Sequence, residues 1–368
     1  MPGWFATGAS RFCHHGWQSH VLFAALLALG AGCEIDDSED LDLQVEGLEP
    51  GDDTPPGTVA PFQATLDAGL SDNPDCFHPW DNVQAYLDLP GRFPEFTDVL
   101  TEQELEDLLR AVETGGVPDI EAGDGPDEMR DLVLKALGTP FLFEGIEQRP
   151  MSYAILDEQS VDGGRQQLLV LMDPLLGCFP ALLIVPPGPG PHPAVQALHG
   201  HSDTPDSWAR DYFGERYTDE GYALMIAGTR AFEADQFEDL ATRTMLLNGF
   251  TMMGVRVAEH LLALKYLRSR PDIDATRIGL IGHSGGSLAG NLTIRVEQSY
   301  RGYVSDLRGS YHNIGGEGFL VDETAPSVFS LRYPVNDFST SRVPVLSVPY
   351  QYENGPDEIF DFFDQVLW

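Results

Sequence analysis

The sequence predicts an α/β protein built on a doubly wound, mostly parallel sheet. From residue 141 onward, short apolar runs alternate with helical patterns, among them FPALLIVPP, HPAVQALHG, YALMIAG and RIGLIG. Such alternation is typical of a parallel sheet covered by helices on both faces. After RIGLIG a serine stands at a strand-to-helix turn, and RGYVSDLRG and PVLSVPY supply two further strands. With 42% hydrophobic residues, a chain of 368 residues can bury one large core.

Residues 1–32 have the pattern of a lipoprotein-type signal peptide. A weakly basic start precedes VLFAALLALGAGC, whose apolar run is too short to span a bilayer. The run ends on Cys33 in a segment that resembles a bacterial lipobox, with Leu29 one position further from the cysteine than usual. Cys33 is therefore the expected lipidation site, and an ordinary secretory signal is the alternative. We expect an exported protein at the outer membrane or cell surface of a bacterium, or else a periplasmic or secreted one.

Residues 33–60 are expected to be a disordered acidic tether between the lipid anchor and the domain. Positions 34–53 hold ten acidic residues and no lysine or arginine, so the segment has too little apolar surface to fold. The whole chain has 58 acidic and 21 basic residues, for a net charge of −37. This charge excludes nucleic acid as a partner and favours a monomer that touches the membrane through its lipid anchor only.

Export also permits a disulfide between Cys76 and Cys178, because the exterior is oxidising. Such a bond closes a loop of about a hundred residues and stabilises the fold by a few kcal/mol in the loop-entropy model. Two free buried thiols are the alternative interpretation.

Residues 61–140 are predicted to be an N-terminal helical segment packed on the main domain, residues 141–368. TEQELEDLLRAVETGG begins with the capping-box pair Thr101 and Glu104, and GPDEMRDLVLKALG carries Pro126 in its first turn. Leucines at helical spacing give the first of these helices one apolar face. A separate partner-binding module is the alternative.

The stretch Gly282-His283-Ser284-Gly285-Gly286 fits the G-x-S-x-G pattern of a nucleophile elbow. The turn is so sharp that side chains two places either side of Ser284 would collide, which explains the glycines. The serine is expected in a strained backbone conformation with its hydroxyl above the sheet. The amide of Gly285, at the start of the helix, is the expected oxyanion donor. A glycine turn bearing an unreactive serine is the alternative.

A second loop, His199-Gly200-His201-Ser202, closes an earlier strand and is expected to supply the other oxyanion donor. The amide of His201 is our candidate, and that of Ser202 is the alternative. The side chains of His199 and His201 are expected to shape the loop. Two histidines in H-x-H also suit a metal, but no third ligand stands at a persuasive spacing, so no metal site is expected.

These segments resemble the dienelactone hydrolase and acetyl-xylan-esterase branch of the α/β-hydrolase superfamily, and also prolyl-oligopeptidase-like domains. The similarity spans about residues 150–360, and its most specific part is LKYLRSRPDIDATRIGLIGHSGGS. The resemblance implies an α/β-hydrolase sheet and serine ester hydrolysis without a cofactor, by a triad in the chain order Ser, Asp, His. It implies Asp357, in GPDEIF, as the acid, with Glu353 and Asp306 as alternatives.

The resemblance implies a catalytic histidine beyond the acid, but the last histidine of the sequence is His312. The domain is therefore expected to lack its last strand and helix. Either the chain is a truncated hydrolase, or His312 is the base, or the protein is an inactive relative that binds a ligand. His283 is expected to point away from the reacting face, and Arg230 is a candidate for the rim. The predicted function is hydrolysis, through Ser284, of an extracytoplasmic small-molecule or polysaccharide ester; the alternative is an inactive or truncated lipoprotein.

Overall fold

The computed structural model describes Gly91 and residues 100–113, 125–138, 140–232, 235–307, 337–348 and 356–368. The predicted signal peptide and tether lie outside the described residues, as do Cys33, Cys76, His312 and Glu353. All described residues belong to one unit, Pro55–Trp368. Among the helices of this described part, none combines the length and the apolar character that crossing a bilayer requires.

Eight strands form one sheet in the spatial order β1-β2-β3-β5-β4-β6-β7-β8. Their bounds are β1 Ser152–Val161, β2 Gly164–Asp173, β3 Gly177–Val185, β4 His192–Leu198, β5 Ala223–Ala227, β6 Ile273–His283, β7 Tyr303–Asp306 and β8 Val345–Val348. The pairings from β1 to β5 are antiparallel, and those from β5 through β4, β6 and β7 to β8 are parallel. The mostly parallel sheet predicted from the sequence is confirmed.

Helices cover both faces of this sheet. Their bounds are α1 Glu102–Glu113, α2 Pro126–Leu137, α3 Pro140–Phe143, α4 Pro205–Asp211, α5 Gly214–Asp219, α6 Asp235–Leu247, α7 Met252–Ser269, α8 Gly285–Val296 and α9 Asp357–Leu367. Adjacent residues of one strand enter different cores: Leu280 belongs to the buried cluster that includes residues of α1, α2, α7 and α8, whereas Ile281 belongs to the one that includes residues of α4, α5 and α9. This alternation is the double winding that the α/β pattern predicts.

The N-terminal helices pack on the same core as the sheet. Leu105 and Leu109 of α1 and Met129 and Val133 of α2 are buried in the cluster that contains the apolar residues of α7 and α8. In the predicted capping box at the start of α1, the backbone amide of Thr101 donates to the Glu104 carboxylate at 2.8 Å. These helices therefore contribute to the stability of the fold that carries the site.

α7 is buried along nearly its whole length, including its charged residues Arg256 and Glu259. Its N-cap is Thr251, whose hydroxyl oxygen accepts a hydrogen bond from the Gly254 amide at 2.9 Å. The same hydroxyl donates to the carbonyl of Leu137 at the end of α2, also at 2.9 Å. One buried side chain thus caps α7 and ties it to the N-terminal helices.

Cys178 lies in β3, fully buried, and is disulfide-bonded. Its predicted partner Cys76 lies outside the described residues, so the pairing of these two cysteines stays a prediction.

Candidate active site

Ser284 stands between the end of β6 and the start of α8 with φ 52° and ψ −123°. A positive φ is strained for any residue with a side chain and persists only where the surroundings hold it. Two backbone hydrogen bonds do so here: the Ser284 amide donates to the carbonyl of Asp306 at 3.0 Å, and the Ser284 carbonyl accepts from the Ser287 amide at 2.8 Å. The strained serine at the apex has the geometry expected of a nucleophile elbow.

The glycines around Ser284 allow backbones to approach one another closely. A methyl group on Gly282 would lie 2.7 Å from the Cα of Ser287, and one on Gly286 would lie 2.6 Å from the carbonyl oxygen of His199. Both distances are far shorter than van der Waals contact, and the neighbours are backbone atoms. Glycine is therefore required at both positions for α8 to start where it does.

The loop after β4 lies directly against the serine. A Cβ added to Gly200 would be 2.9 Å from the Cβ of Ser284. Of the two amides proposed as the second oxyanion donor, that of Ser202 donates to the carbonyl of Phe232 at 2.7 Å. This bond favours His201 over Ser202 as the source of the second donor.

The two histidines of this loop are engaged with the surrounding structure. His199 is fully buried; its Nδ1 lies 2.9 Å from the carbonyl oxygen of Gly200, and its Nε2 accepts from the Thr229 amide at 2.8 Å. Burial lowers the pKa of His199 to about 4, so the ring is neutral at neutral pH. The Nε2 of His201 lies 3.2 Å from the Glu238 carboxylate. Both side chains thus hold the loop in place.

A network of buried ion pairs lies next to the loop. Arg230 pairs with Glu259, and Arg256 pairs with Glu238. Arg256 also joins the two pairs, because its Nε donates to the carbonyl of Arg230 at 2.9 Å. The prediction of Arg230 as a rim residue is wrong, because its side chain is 1% exposed. It also donates to the carbonyl of Leu176 at 2.9 Å.

Among the described residues, no group of three or more histidine, cysteine or acidic side chains suits a metal ion.

The three acids proposed for the triad occupy different places. The carboxylate of Asp306 lies 2.9 Å from Nδ1 of His283, and both side chains are buried. The side chain of Asp357 is 86% exposed at the start of α9 and lies 2.7 Å from Arg216. Glu353 lies outside the described residues, as does His312. The structure therefore places Asp306 against the elbow and Asp357 at the surface.

The sheet, the elbow and the adjacent donor loop define a protein of the α/β-hydrolase class. No protein-family model matches the sequence. Acyl-coenzyme A thioesterase 1 of Rattus norvegicus is 28% identical over 218 residues, which cover 55% of this chain and 45% of that protein. YtaP of Bacillus subtilis (strain 168), named as a hydrolase, is 33% identical over 112 residues, 27% of this chain and 38% of that protein. The matched segments span less than half the length of these relatives.

Among solved structures, an acetyl xylan esterase from Paenibacillus sp. R4 is similar with a TM-score of 0.47 and 13% identity, covering 70% of this chain and 99% of that one. The elbow and the curated relatives together place the chain in the α/β-hydrolase superfamily.

Proposed function

We propose that this protein is a serine hydrolase of carboxylic esters in which Ser284 is the nucleophile. The observation that carries the proposal is the strained backbone of Ser284, which neighbouring backbone atoms hold at the end of β6. Backbone strain of this kind clusters at active sites and ligand-binding sites. The resemblance of the motifs to esterases agrees with it.

The proposed reaction is acyl transfer. The Oγ of Ser284 bonds to the ester carbonyl carbon, and the amides of Gly285 and His201 stabilise the resulting oxyanion. The carbon–oxygen bond to the alcohol then breaks, and the proton of Ser284 passes through a base to that alcohol. Water hydrolyses the acyl-enzyme by the same steps and restores Ser284. His312 remains the proposed base, with Asp357, or else Glu353, as the acid that orients it, because the carboxylate of Asp306 is already bonded to His283.

Thioester hydrolysis is a second candidate, because several curated relatives are named as acyl-coenzyme A thioesterases. The net charge of −37 argues against it, since coenzyme A is an anion and is repelled by an acidic protein. A neutral ester is therefore the favoured substrate.

Labelling with a fluorophosphonate probe tests the nucleophile. We expect the probe on the peptide that contains Ser284, and no label there in Ser284→Ala. Ser202→Ala is the matched control, because Ser202 also has a positive φ, of 64°, and lies on the neighbouring loop. Label that survives Ser284→Ala would contradict the proposal. A folded wild-type protein that takes no label would also contradict it, and would favour the alternative of an inactive protein that binds a ligand.

The proposed location is outside the cytoplasm, with lipid on Cys33 as the only membrane contact. Expression in a bacterium followed by mass spectrometry of the mature N-terminus tests this proposal. We expect a lipidated Cys33 that partitions into detergent, and a Cys33→Ser variant that does not. A mature protein that begins at another residue would show an ordinary secretory signal.

A further inference from the structure

Asp306, at the end of β7, contacts two consecutive residues of the elbow. Its backbone carbonyl accepts the Ser284 amide at 3.0 Å, and its carboxylate lies 2.9 Å from Nδ1 of His283. The side chains of His283 and Asp306 are 5% and 4% exposed, so their hydrogen bond is shielded from water. A hydrogen bond in such surroundings is stronger than one at the surface. β7 therefore holds the elbow through both backbone and side chain.

An aromatic ring also packs on His283. The ring of Tyr212 has its centroid 4.4 Å from that of the His283 imidazole. The imidazole is thus in contact with a carboxylate and with an aromatic ring.

The space beside the pair is too small for the ring to move into. A cavity of about 10 Å³ lies between β6, β7, α4 and α9, and His283, Asp306 and Trp208 are among the residues that line it. This volume holds at most one water molecule. The buried Nε1 of Trp208 has no hydrogen-bond partner in the described structure, so a water there would gain a donor. Packing and hydrogen bonding together fix the orientation of His283.

We infer that His283 and Asp306 are a positioning pair, which sets the direction in which Ser284 presents its hydroxyl oxygen to the substrate. The inference rests on the proposed function and adds two residues to it. The physical reason is that a displacement of about 1 Å at a reacting atom can lower a rate by about a hundredfold. Ser284 holds a strained conformation, so it moves toward an unstrained one when its support is removed.

Four variants test the pair. Asp306→Ala removes the partner of His283, whereas Asp306→Asn keeps an oxygen that accepts from Nδ1. His283→Phe keeps a ring against Tyr212 and loses the hydrogen bond. His260→Phe is the control, because His260 is equally buried and lies 3.2 Å from the hydroxyl of Thr293 between α7 and α8. For each protein we would measure the second-order rate of fluorophosphonate labelling, kcat and KM with p-nitrophenyl acetate, and the thermal unfolding midpoint.

We expect Asp306→Ala and His283→Phe to lower the labelling rate and kcat by about tenfold to a hundredfold at an unchanged KM. Asp306→Asn should recover most of the loss, and His260→Phe should label within about twofold of the wild type even where its midpoint falls. If Asp306→Ala gives no folded protein, the labelling rates and kcat values of His283→Phe and Asp306→Asn test the inference.

The inference fails if the wild type is labelled on Ser284 and the folded His283→Phe variant reacts at the same rate. It also fails if every variant, His260→Phe included, loses rate in proportion to its loss of stability. A wild type that takes no label overturns the proposed function and this inference with it, whereas the other two results leave the proposed function standing.

Discussion

Gly286, in the first turn of α8, lies so close to Leu198 at the end of β4 that a methyl group on it would overlap the Leu198 carbonyl. The helix that follows the nucleophile and the strand that precedes the donor loop therefore meet backbone to backbone. No side chain separates them, and neither backbone can move without disturbing the sheet.

Gly286→Ala should destabilise the fold by about 1–3 kcal/mol, because the added methyl group has no space and its neighbours are backbone atoms. It should also slow labelling of Ser284. Urea denaturation measures the first effect and the fluorophosphonate rate the second. Gly91→Ala is the control, since within the described part of the chain no atom outside its two neighbours lies within 4 Å of the added Cβ, and it should change stability by less than about 0.5 kcal/mol. Equal stability of the two variants would contradict the close approach.

Glu259→Ala should cost about 3–5 kcal/mol, because it leaves the buried guanidinium of Arg230 without its counter-charge. Replacing both partners, as Arg230→Met with Glu259→Leu, should recover much of that loss, since two apolar side chains need no partner. Urea denaturation of the single and double variants gives the comparison. A double variant no more stable than the single one would show that the other hydrogen bonds of Arg230 matter more than the ion pair.

The stability of the fold should fall as the pH drops below about 6.5. Burial lowers the pKa of His199 to about 4 and that of His260 to about 3, so the unfolded chain binds these two protons first. The free energy of unfolding is thus not reduced by these histidines above the pKa of an unfolded histidine, about 6.5. Between that pKa and the lowered pKa of the folded state, it declines by about 1.4 kcal/mol per pH unit for each histidine. Urea titrations at pH 7, 6 and 5 measure the slope. His260→Met should reduce it by about half, and an unchanged slope would contradict the lowered pKa of His260.

Thr251→Val should destabilise the fold by about 1–2 kcal/mol, because valine keeps the shape but loses both hydrogen bonds of the cap of α7. Thr251→Ser retains the hydroxyl and is the matched control, with a smaller loss expected. Thermal unfolding compares the two. If both variants unfold at the same temperature, the hydroxyl contributes nothing to the cap.

Acetyl-coenzyme A should be a poor substrate at low salt that improves as salt is added, because ions screen its repulsion from a chain of net charge −37. The neutral ester p-nitrophenyl acetate is the control and should show a kcat/KM that changes by less than about twofold over the same range. A kcat/KM for acetyl-coenzyme A that exceeds that of the ester at low salt would favour thioester hydrolysis.

The elbow could be predicted from the sequence because its determinants are local. Five consecutive residues, 282–286, contain both the serine and the glycines that allow the turn, and an apolar strand precedes them. The two ends of α2 are also determined locally. Pro126 stands in its first turn, and Gly138 ends the helix with a φ of 69°. Each of these features depends on neighbours within a few positions.

The surroundings of the elbow could not be predicted in the same way. Arg230 follows a strand, and nothing near it in sequence shows that Glu259, 29 positions later, is its partner. The sequence does contain one signal that Glu259 is buried, because it stands in a helix whose apolar residues occupy nearly every face. The family pattern favours Asp357 over Asp306 as the acid, whereas the parallel register sets Asp306 opposite His283. Such a register is a property of the folded sheet.

The contact of Gly286 with Leu198 also bears on how proteins with this elbow can diversify. The proposed oxyanion donors, Gly285 and His201, contribute main-chain amides, which no substitution other than proline removes. Side chains that contact neither the glycines nor His283 can change while those donors stay in place. A mutational library confined to such positions would therefore vary substrate preference and keep the oxyanion donors, whereas changes at the glycines would mostly give inactive proteins.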